Sequence, residues 1–181
     1  METRFFITGL PRSGTAWIAN YLTYGNSFCF HEGLADYDSI HDFAAMLDQT
    51  EAECVGDSDT VITGILPWLY EKYPDARYVF IQRNRYDVEQ SLITNGFSTH
   101  KIPEIQRSLD WGIKHIPSLL ITFDDLFDNM QRVCDYIGVD CFSTERDNLL
   151  RHMRIDECKK YLTMQPYNVG TLINSFMREL H

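Results

Sequence analysis

Residues 4–17 of the chain read RFFITGLPRSGTAW, and this stretch decides the fold. Its first part, Arg4–Thr8, is a compact apolar run that is typical of a buried strand. From Thr15 to Leu22 the apolar side chains recur at helical spacing. Gly9 and Gly14 bound the connecting loop and lie five residues apart, as in the G-x-x-x-x-G part of a phosphate-binding loop. The stretch therefore predicts a strand, a tight anion-binding loop and a helix.

The rest of the chain alternates short β-rich runs with longer helical patterns. Four further strands are predicted, at 27–30, 53–55, 76–82 and 118–122. Five further helices are predicted, at 39–47, 65–73, 87–93, 103–115 and 124–137. Asp87 and Gln90 resemble a capping box that opens the third of these helices, and Gly138 suits the position that closes the last. This alternation favours an α/β fold, a single P-loop-like domain with a mainly parallel sheet and helices on both faces.

Composition limits the kinds of partner that the chain can bind. The 181 residues fit one domain, and 16 Lys+Arg against 26 Asp+Glu give a net charge of −10. We therefore expect no nucleic-acid or membrane partner, and any anionic ligand must be held at a local site. The 5 cysteines form no C-x-x-C pair, so neither a zinc ribbon nor a redox dithiol is predicted. The first residues lack the apolar stretch of a signal peptide, and these features together predict a cytoplasmic protein.

The loop departs from that of ATPases and GTPases at the two positions after its second glycine. Thr15 and Ala16 stand where those proteins carry the lysine for the terminal phosphates and the hydroxyl for magnesium. The positive charge lies instead within the loop, at Arg12, and the hydroxyls of Ser13 and Thr15 flank Gly14. The loop therefore predicts a phosphate site that needs no metal.

The same loop resembles that of the sulfotransferases that use 3'-phosphoadenosine 5'-phosphosulfate (PAPS), which reads P-[KR]-S-G-T-x-W. The matching residues, which the resemblance implies bind the cofactor, are Pro11, Arg12, Ser13, Gly14, Thr15, Ala16 and Trp17. In the family the tryptophan lies against the adenine. A tryptophan at helical spacing with Ile18 and Tyr21 fits the protein core equally well.

A second family motif follows a later predicted strand. The family pattern R-N-P-x-D-x-x-x-S binds the 3'-phosphate, and here Arg83 and Ser91 occupy its first and last positions. Arg85 replaces the proline of that pattern. The resemblance spans roughly residues 5–139 of a single domain at 1–181, and leaves 140–181 as a helical segment without an assigned role. Asn168-Val169-Gly170 is at best a trace of the family's carboxyl-terminal phosphate segment.

The base that removes the acceptor's proton is a histidine in some branches of the family and a carboxylate in others. The first candidate is Glu32, just past the predicted strand 27–30, and His31 is its nearest rival. Asp57 and Asp59 are further candidates, and the alternative for both is a solvated carboxylate in a loop. Arg12 and Glu32 are thus the predicted catalytic residues.

The resemblance implies transfer of a sulfuryl group from PAPS to a hydroxyl or amine of a small-molecule or sugar acceptor. The product is 3',5'-bisphosphoadenosine (PAP), and no metal is required. Two alternatives stay open: a non-catalytic module that binds PAP or PAPS, and a kinase with a degenerate P-loop. The sequence indicates neither the acceptor nor the oligomeric state.

Overall fold

A computed structural model describes residues 2–141 of the chain, and a parallel sheet lies at its centre. The strands are β1 (Thr3–Gly9), β2 (Ser27–His31), β3 (Cys54–Ser58), β4 (Arg77–Gln82) and β5 (Ser118–Thr122). Their order across the sheet is β2-β3-β1-β4-β5, and every neighbouring pair is parallel. The predicted α/β fold with a mainly parallel sheet is confirmed.

Helices connect the strands. They are α1 (Thr15–Leu22), α2 (Ile40–Gln49), α3 (Leu66–Lys72), α4 (Arg85–Thr94), α5 (Ile102–His115) and α6 (Met130–Ile137). Two short 3₁₀ helices, Gly33–Asp36 and Val61–Ile65, follow β2 and β3. Within residues 2–141 none of the helices has the length and apolar character needed to cross a membrane.

The helices cover both faces of the sheet because successive side chains of a strand point to opposite faces. One face carries Phe5 and Ile7, and buried side chains of α1 and α6 pack in the same cluster. The other face carries Phe6 and Phe80, and buried side chains of α2, α3, α4 and α5 pack there. A two-sided core of this kind leaves the strand ends at the carboxyl edge as the place where polar side chains collect.

Two predicted helix starts are wrong, and local side-chain hydrogen bonds explain both. The side chain of Asn84 accepts from the backbone N–H of Tyr86, so α4 begins at Arg85 and Asp87 lies in its first turn. Residues 124–129 form turns, and α6 begins only at Met130. There the Thr122 hydroxyl bonds the Asp125 carboxylate and accepts from the Asp125 N–H, which offers the backbone an alternative to the helix.

Strand β3 extends three residues beyond the predicted 53–55 and contains Gly56 against the side chain of Phe5. A Cβ at Gly56 would overlap the Phe5 ring and the Phe5 carbonyl oxygen, whereas a Cβ at Gly64 would meet nothing within 4 Å. We expect Gly56→Ala to lower the free energy of unfolding by about 1–3 kcal/mol or more. Gly64→Ala, the matched control, should stay within about 0.5 kcal/mol of the parent in urea unfolding. Equal values for the two variants would contradict this packing.

Candidate functional site

Functional side chains predicted from the sequence lie at one edge of the sheet, because the carboxyl ends of parallel strands point the same way. The loop 10–14 follows the central strand β1, and β3 and β4 flank that strand. His31 ends β2, Asp59 follows β3, and Arg83 follows β4. This edge is the candidate site.

The loop after β1 has two residues in the left-handed region of backbone conformation. Gly14 has φ 83°, and a Cβ there would come within 2.8 Å of Leu126 Cδ2, so geometry requires a glycine. Arg12 has φ 67° although it carries a side chain, which costs about 1–2 kcal/mol. Helix α1 then begins at Thr15 with no side-chain cap and no acidic residue in its first turn. Its positive end is therefore available to an anion.

The two family motifs meet in space. Arg12 Nε donates to Ser91 Oγ at 3.2 Å, across 79 positions of sequence. Arg83 Nη1 donates to the carbonyl oxygen of Arg12. The Arg83 guanidinium also lies 3.9 Å from the centre of the Phe123 ring, within the range of a cation–π contact. Three polar side chains from distant segments are thus held as one cluster, which we call the arginine cluster (Arg12, Arg83, Ser91).

Two cations at short range make the arginine cluster a site for an anion. Partial burial lowers the pKa of Arg83, the nearby Asp87 raises it, and the positive charge of Arg12 lowers it. An arginine nevertheless keeps its charge in a protein, so the two guanidinium groups repel each other. An anion between them would relieve that repulsion and accept charge-assisted hydrogen bonds.

Buried polar atoms near the loop support the same chemistry. Ser13 is fully buried and Thr8 is nearly so, and neither hydroxyl has a hydrogen-bond partner among residues 2–141. A buried hydroxyl without a partner costs about 1–3 kcal/mol, so these hydroxyls are suited to donate to a bound anion. Sulfate and phosphate oxygens are acceptors of the kind that would satisfy them. The residues present therefore fit a phosphorylated or sulfated nucleotide.

Trp17 lies half-buried against the core. Its ring centre is 5.1 Å from that of Tyr21 and 4.7 Å from that of Phe127. Its indole nitrogen is buried and has no hydrogen-bond partner among the described residues. Trp17 thus packs with aromatic neighbours, and a role against adenine stays a prediction.

His31 and Glu32 lie side by side at the end of β2. His31 Nδ1 is 2.8 Å from the carbonyl oxygen of Ser58, and His31 Nε2 is 3.7 Å from Glu32 Oε1. The side chain of His31 is 7% exposed and that of Glu32 is 48% exposed. Glu32 is therefore accessible to solvent, whereas the side chain of His31 is almost fully buried.

Backbone strain marks the two residues predicted to be catalytic. Among residues 2–141 the only non-glycine residues with positive φ are Arg12 and Glu32, at 67° and 56°. Such conformations persist only where the surrounding structure fixes them, and they cluster at functional sites. This observation depends on the backbone alone and is independent of the sequence motifs.

Asp57 and Asp59 are buried, so the alternative that both are solvated loop carboxylates is wrong. Asp57 lies within β3, and the two residues are 0% and 2% exposed. Asp57 Oδ1 accepts from the N–H of Gly33, and Asp59 Oδ1 accepts from the N–H of Val61. Burial raises the pKa of Asp57 well above its usual value, and the negative charge of Asp59 raises it further. Asp57 is therefore too buried to meet an acceptor.

The raised pKa of Asp57 predicts a stability that falls as the pH rises. At a pH between the Asp57 pKa of the unfolded state, about 3.9, and the raised pKa of the folded state, the folded state binds more protons than the unfolded state. The free energy of unfolding is thus greatest below the pKa of the unfolded state and falls as the pH rises through the pKa of the folded state. We expect Asp57→Asn to flatten this dependence in urea unfolding between pH 5 and pH 8. Asp75→Asn, an exposed control, should keep the slope of the parent, and an unchanged slope in Asp57→Asn would refute the account.

Two contributors to the site carried no signal in the sequence. Phe123 reads as part of a turn. The carbonyl oxygen of Ser58 contacts His31 through the backbone, which any residue type could supply. Each takes part because the sheet places β2 beside β3 and β4 beside β5, with Ser58 opposite His31 in the register of β2 and β3.

Comparison with solved structures finds proteins of similar fold, whereas the sequence comparisons find no relative. The sequence matches no protein-family model and no curated protein. The structure is similar to that of a sulfotransferase from Alicyclobacillus acidocaldarius, with a TM-score of 0.60 and 15% identity over 98% of this chain and 96% of that one. It is also similar to mouse sulfotransferase SULT7A1 complexed with PAP, with a TM-score of 0.58 and 15% identity over 88% of this chain and 67% of that one. The chain has the fold of these sulfotransferases.

Proposed function

We propose that the chain is a PAPS-dependent sulfotransferase that moves a sulfuryl group to a hydroxyl or amine of a small-molecule or sugar acceptor. The observation that carries the proposal is the arginine cluster, which joins the two nucleotide motifs at the carboxyl edge of a sulfotransferase fold. A chance match of either short motif would not require the two to meet. The site would then act by positioning the reactants and by stabilising the charge that develops on the leaving phosphate.

The loop would hold the 5' end of the nucleotide, where PAPS supplies the sulfuryl group and leaves as PAP. The backbone N–H groups of residues 14–17, at the start of α1, would surround the phosphosulfate. The buried hydroxyl of Ser13 would donate to it. Arg12 would stabilise the negative charge that develops on the leaving phosphate, as cations do in phosphoryl transfer. No lysine or magnesium site is needed for this step.

Arg83 and Ser91 would hold the 3'-phosphate, the group that distinguishes PAP from AMP. Arg83 is fixed against the Phe123 ring and the Arg12 carbonyl, so its guanidinium is oriented before a ligand binds. Ser91 Oγ accepts from Arg12, which leaves its own proton to donate to a phosphate oxygen. Preorganised groups of this kind lose little conformational entropy on binding.

Glu32 would take the proton from the acceptor. Its side chain is half-exposed at the carboxyl edge of the sheet, and its left-handed backbone conformation holds it there. A carboxylate facing a reacting hydroxyl or amine can accept the proton as the new bond to sulfur forms.

The experiment that tests the function is the release of PAP from PAPS in the presence of EDTA. The full chain would be incubated with PAPS and a panel of phenols, sugars and amines, and sulfated products would be identified by mass spectrometry. We expect transfer to at least one acceptor class, and a loss of transfer in Arg12→Ala. Binding of PAP without any transfer would favour the non-catalytic module, and consumption of ATP with magnesium would favour the kinase.

A further inference from the structure

The hydrogen bond to Ser58 fixes the tautomer of His31. A carbonyl oxygen only accepts, so Nδ1 at 2.8 Å from it must carry a proton. In the neutral ring Nε2 then carries none and is an acceptor. Because the side chain of His31 is only 7% exposed, its ring is held in this orientation by the sheet edge.

The unprotonated nitrogen faces Glu32. Nε2 is 3.7 Å from Glu32 Oε1, and the left-handed backbone of Glu32 places its carboxylate beside the preceding ring. Two acceptors that face each other repel, whereas one proton between them gives an imidazolium and a carboxylate in an ion pair. A proton taken up by Glu32 would therefore face an acceptor nitrogen on His31.

Other charged groups near His31 come from β3 and the residue after it. Asp59 is close enough for His31 to lower its pKa, but burial, the larger cause, raises that pKa above its usual value. Burial also raises the pKa of Asp57 well above its usual value. Both carboxyl groups are buried, and Glu32 is the solvent-accessible carboxylate that faces the ring.

We propose that His31 is a positioning residue that acts through Glu32 and receives the proton that Glu32 takes from the acceptor. The inference rests on the proposed function. The acceptor's O–H or N–H bond breaks toward Glu32, the bond from that atom to sulfur forms, and the bond from sulfur to the phosphate oxygen breaks. The proton then passes from the Glu32 carboxyl to Nε2, which restores the carboxylate. His31 thus removes the proton from Glu32 after the transfer. It does so without contacting the acceptor.

The first test follows the ring of His31 by nitrogen NMR in the full chain without any nucleotide. His31→Asn, whose amide can still donate to the Ser58 carbonyl, identifies the signal by its loss. We expect a proton on Nδ1 and none on Nε2 of the neutral ring, and a changed Nε2 signal in Glu32→Gln, which replaces the facing carboxylate by an amide that can donate to Nε2. Glu89→Gln, which removes an equal charge paired with Arg85 on α4, should leave that signal unchanged. An Nε2 signal insensitive to Glu32→Gln, or a proton on Nε2 alone, would overturn the proposal.

The second test is kinetic and uses the acceptor found with PAPS. His31→Asn should lower turnover at least about tenfold with unchanged affinity for PAP, and should have no further effect when combined with Glu32→Gln. Effects that multiply, or parent turnover in His31→Asn, would overturn the proposal. The NMR test needs neither PAPS nor an acceptor. Absence of transfer by the parent would therefore refute the proposed function, while the NMR result still decides whether Nε2 of His31 is the acceptor that faces Glu32.

Discussion

Replacing Glu32 by glutamine should lower turnover of PAPS about 10²–10⁴-fold while the affinity for PAP stays near that of the parent. Glutamine keeps the size of the side chain and removes its ability to take a proton. The Glu32 side chain is half-exposed and is the accessible member of the His31–Glu32 pair. The substitution should therefore lower turnover and leave PAP affinity unchanged. The measurement is steady-state PAP release together with a calorimetric PAP titration. Glu51→Gln, an exposed carboxylate away from the carboxyl edge, is the matched control and should turn over like the parent.

Two other results for Glu32→Gln would contradict the assignment in different ways. Parent turnover would exclude Glu32 as the base and favour His31. A lower melting temperature with unchanged turnover of the folded fraction would make Glu32 a structural partner of its neighbours. Both quantities can be read from one preparation.

Arg83→Ala should erase the preference for PAP over AMP. A charge-assisted hydrogen bond to phosphate is worth on the order of 1.5–3 kcal/mol, which corresponds to a loss of about 10- to 150-fold in PAP affinity. Affinity for AMP, which lacks the 3'-phosphate, should change little. Arg85→Ala is the matched control, because Arg85 belongs to the same helix start but is paired with Glu89 at 2.7 Å.

The AMP measurement also guards against an indirect effect. Arg83 donates to the carbonyl of Arg12, so its removal could disturb the loop as a whole. Equal losses for PAP and AMP would mean such a disturbance and would remove Arg83 from the 3' position. An unchanged PAP affinity would exclude a phosphate contact altogether.

Features set by local sequence could be predicted well. The bounds of α1 agree with the prediction because an apolar helical period begins directly after the glycine loop. β5 also has its predicted bounds, since a short apolar run stands between a helix and a polar turn. The loop could be found because glycine spacing reflects backbone geometry, and Gly14 indeed has a positive φ.

Features set by tertiary contact could not be predicted. The β3 strand contains Gly56 and Asp57, residue types that disfavour strands, and only its central place between β1 and β2 extends it to Ser58. The same burial makes Asp57 a core residue. The bond between Arg12 and Ser91 joins positions 79 residues apart, and no local pattern encodes it.

The measurement that tests the central claim most directly is a thermal-shift comparison of PAP, AMP and ATP with magnesium on the full chain. PAP in the presence of EDTA should give the largest stabilisation, because Arg12 and Arg83 provide a cation for each of its phosphates. At about 100 times its dissociation constant it should add about 2.7 kcal/mol to the free energy of unfolding. A larger shift with ATP and magnesium, or no shift with PAP, would contradict a PAPS-dependent sulfotransferase.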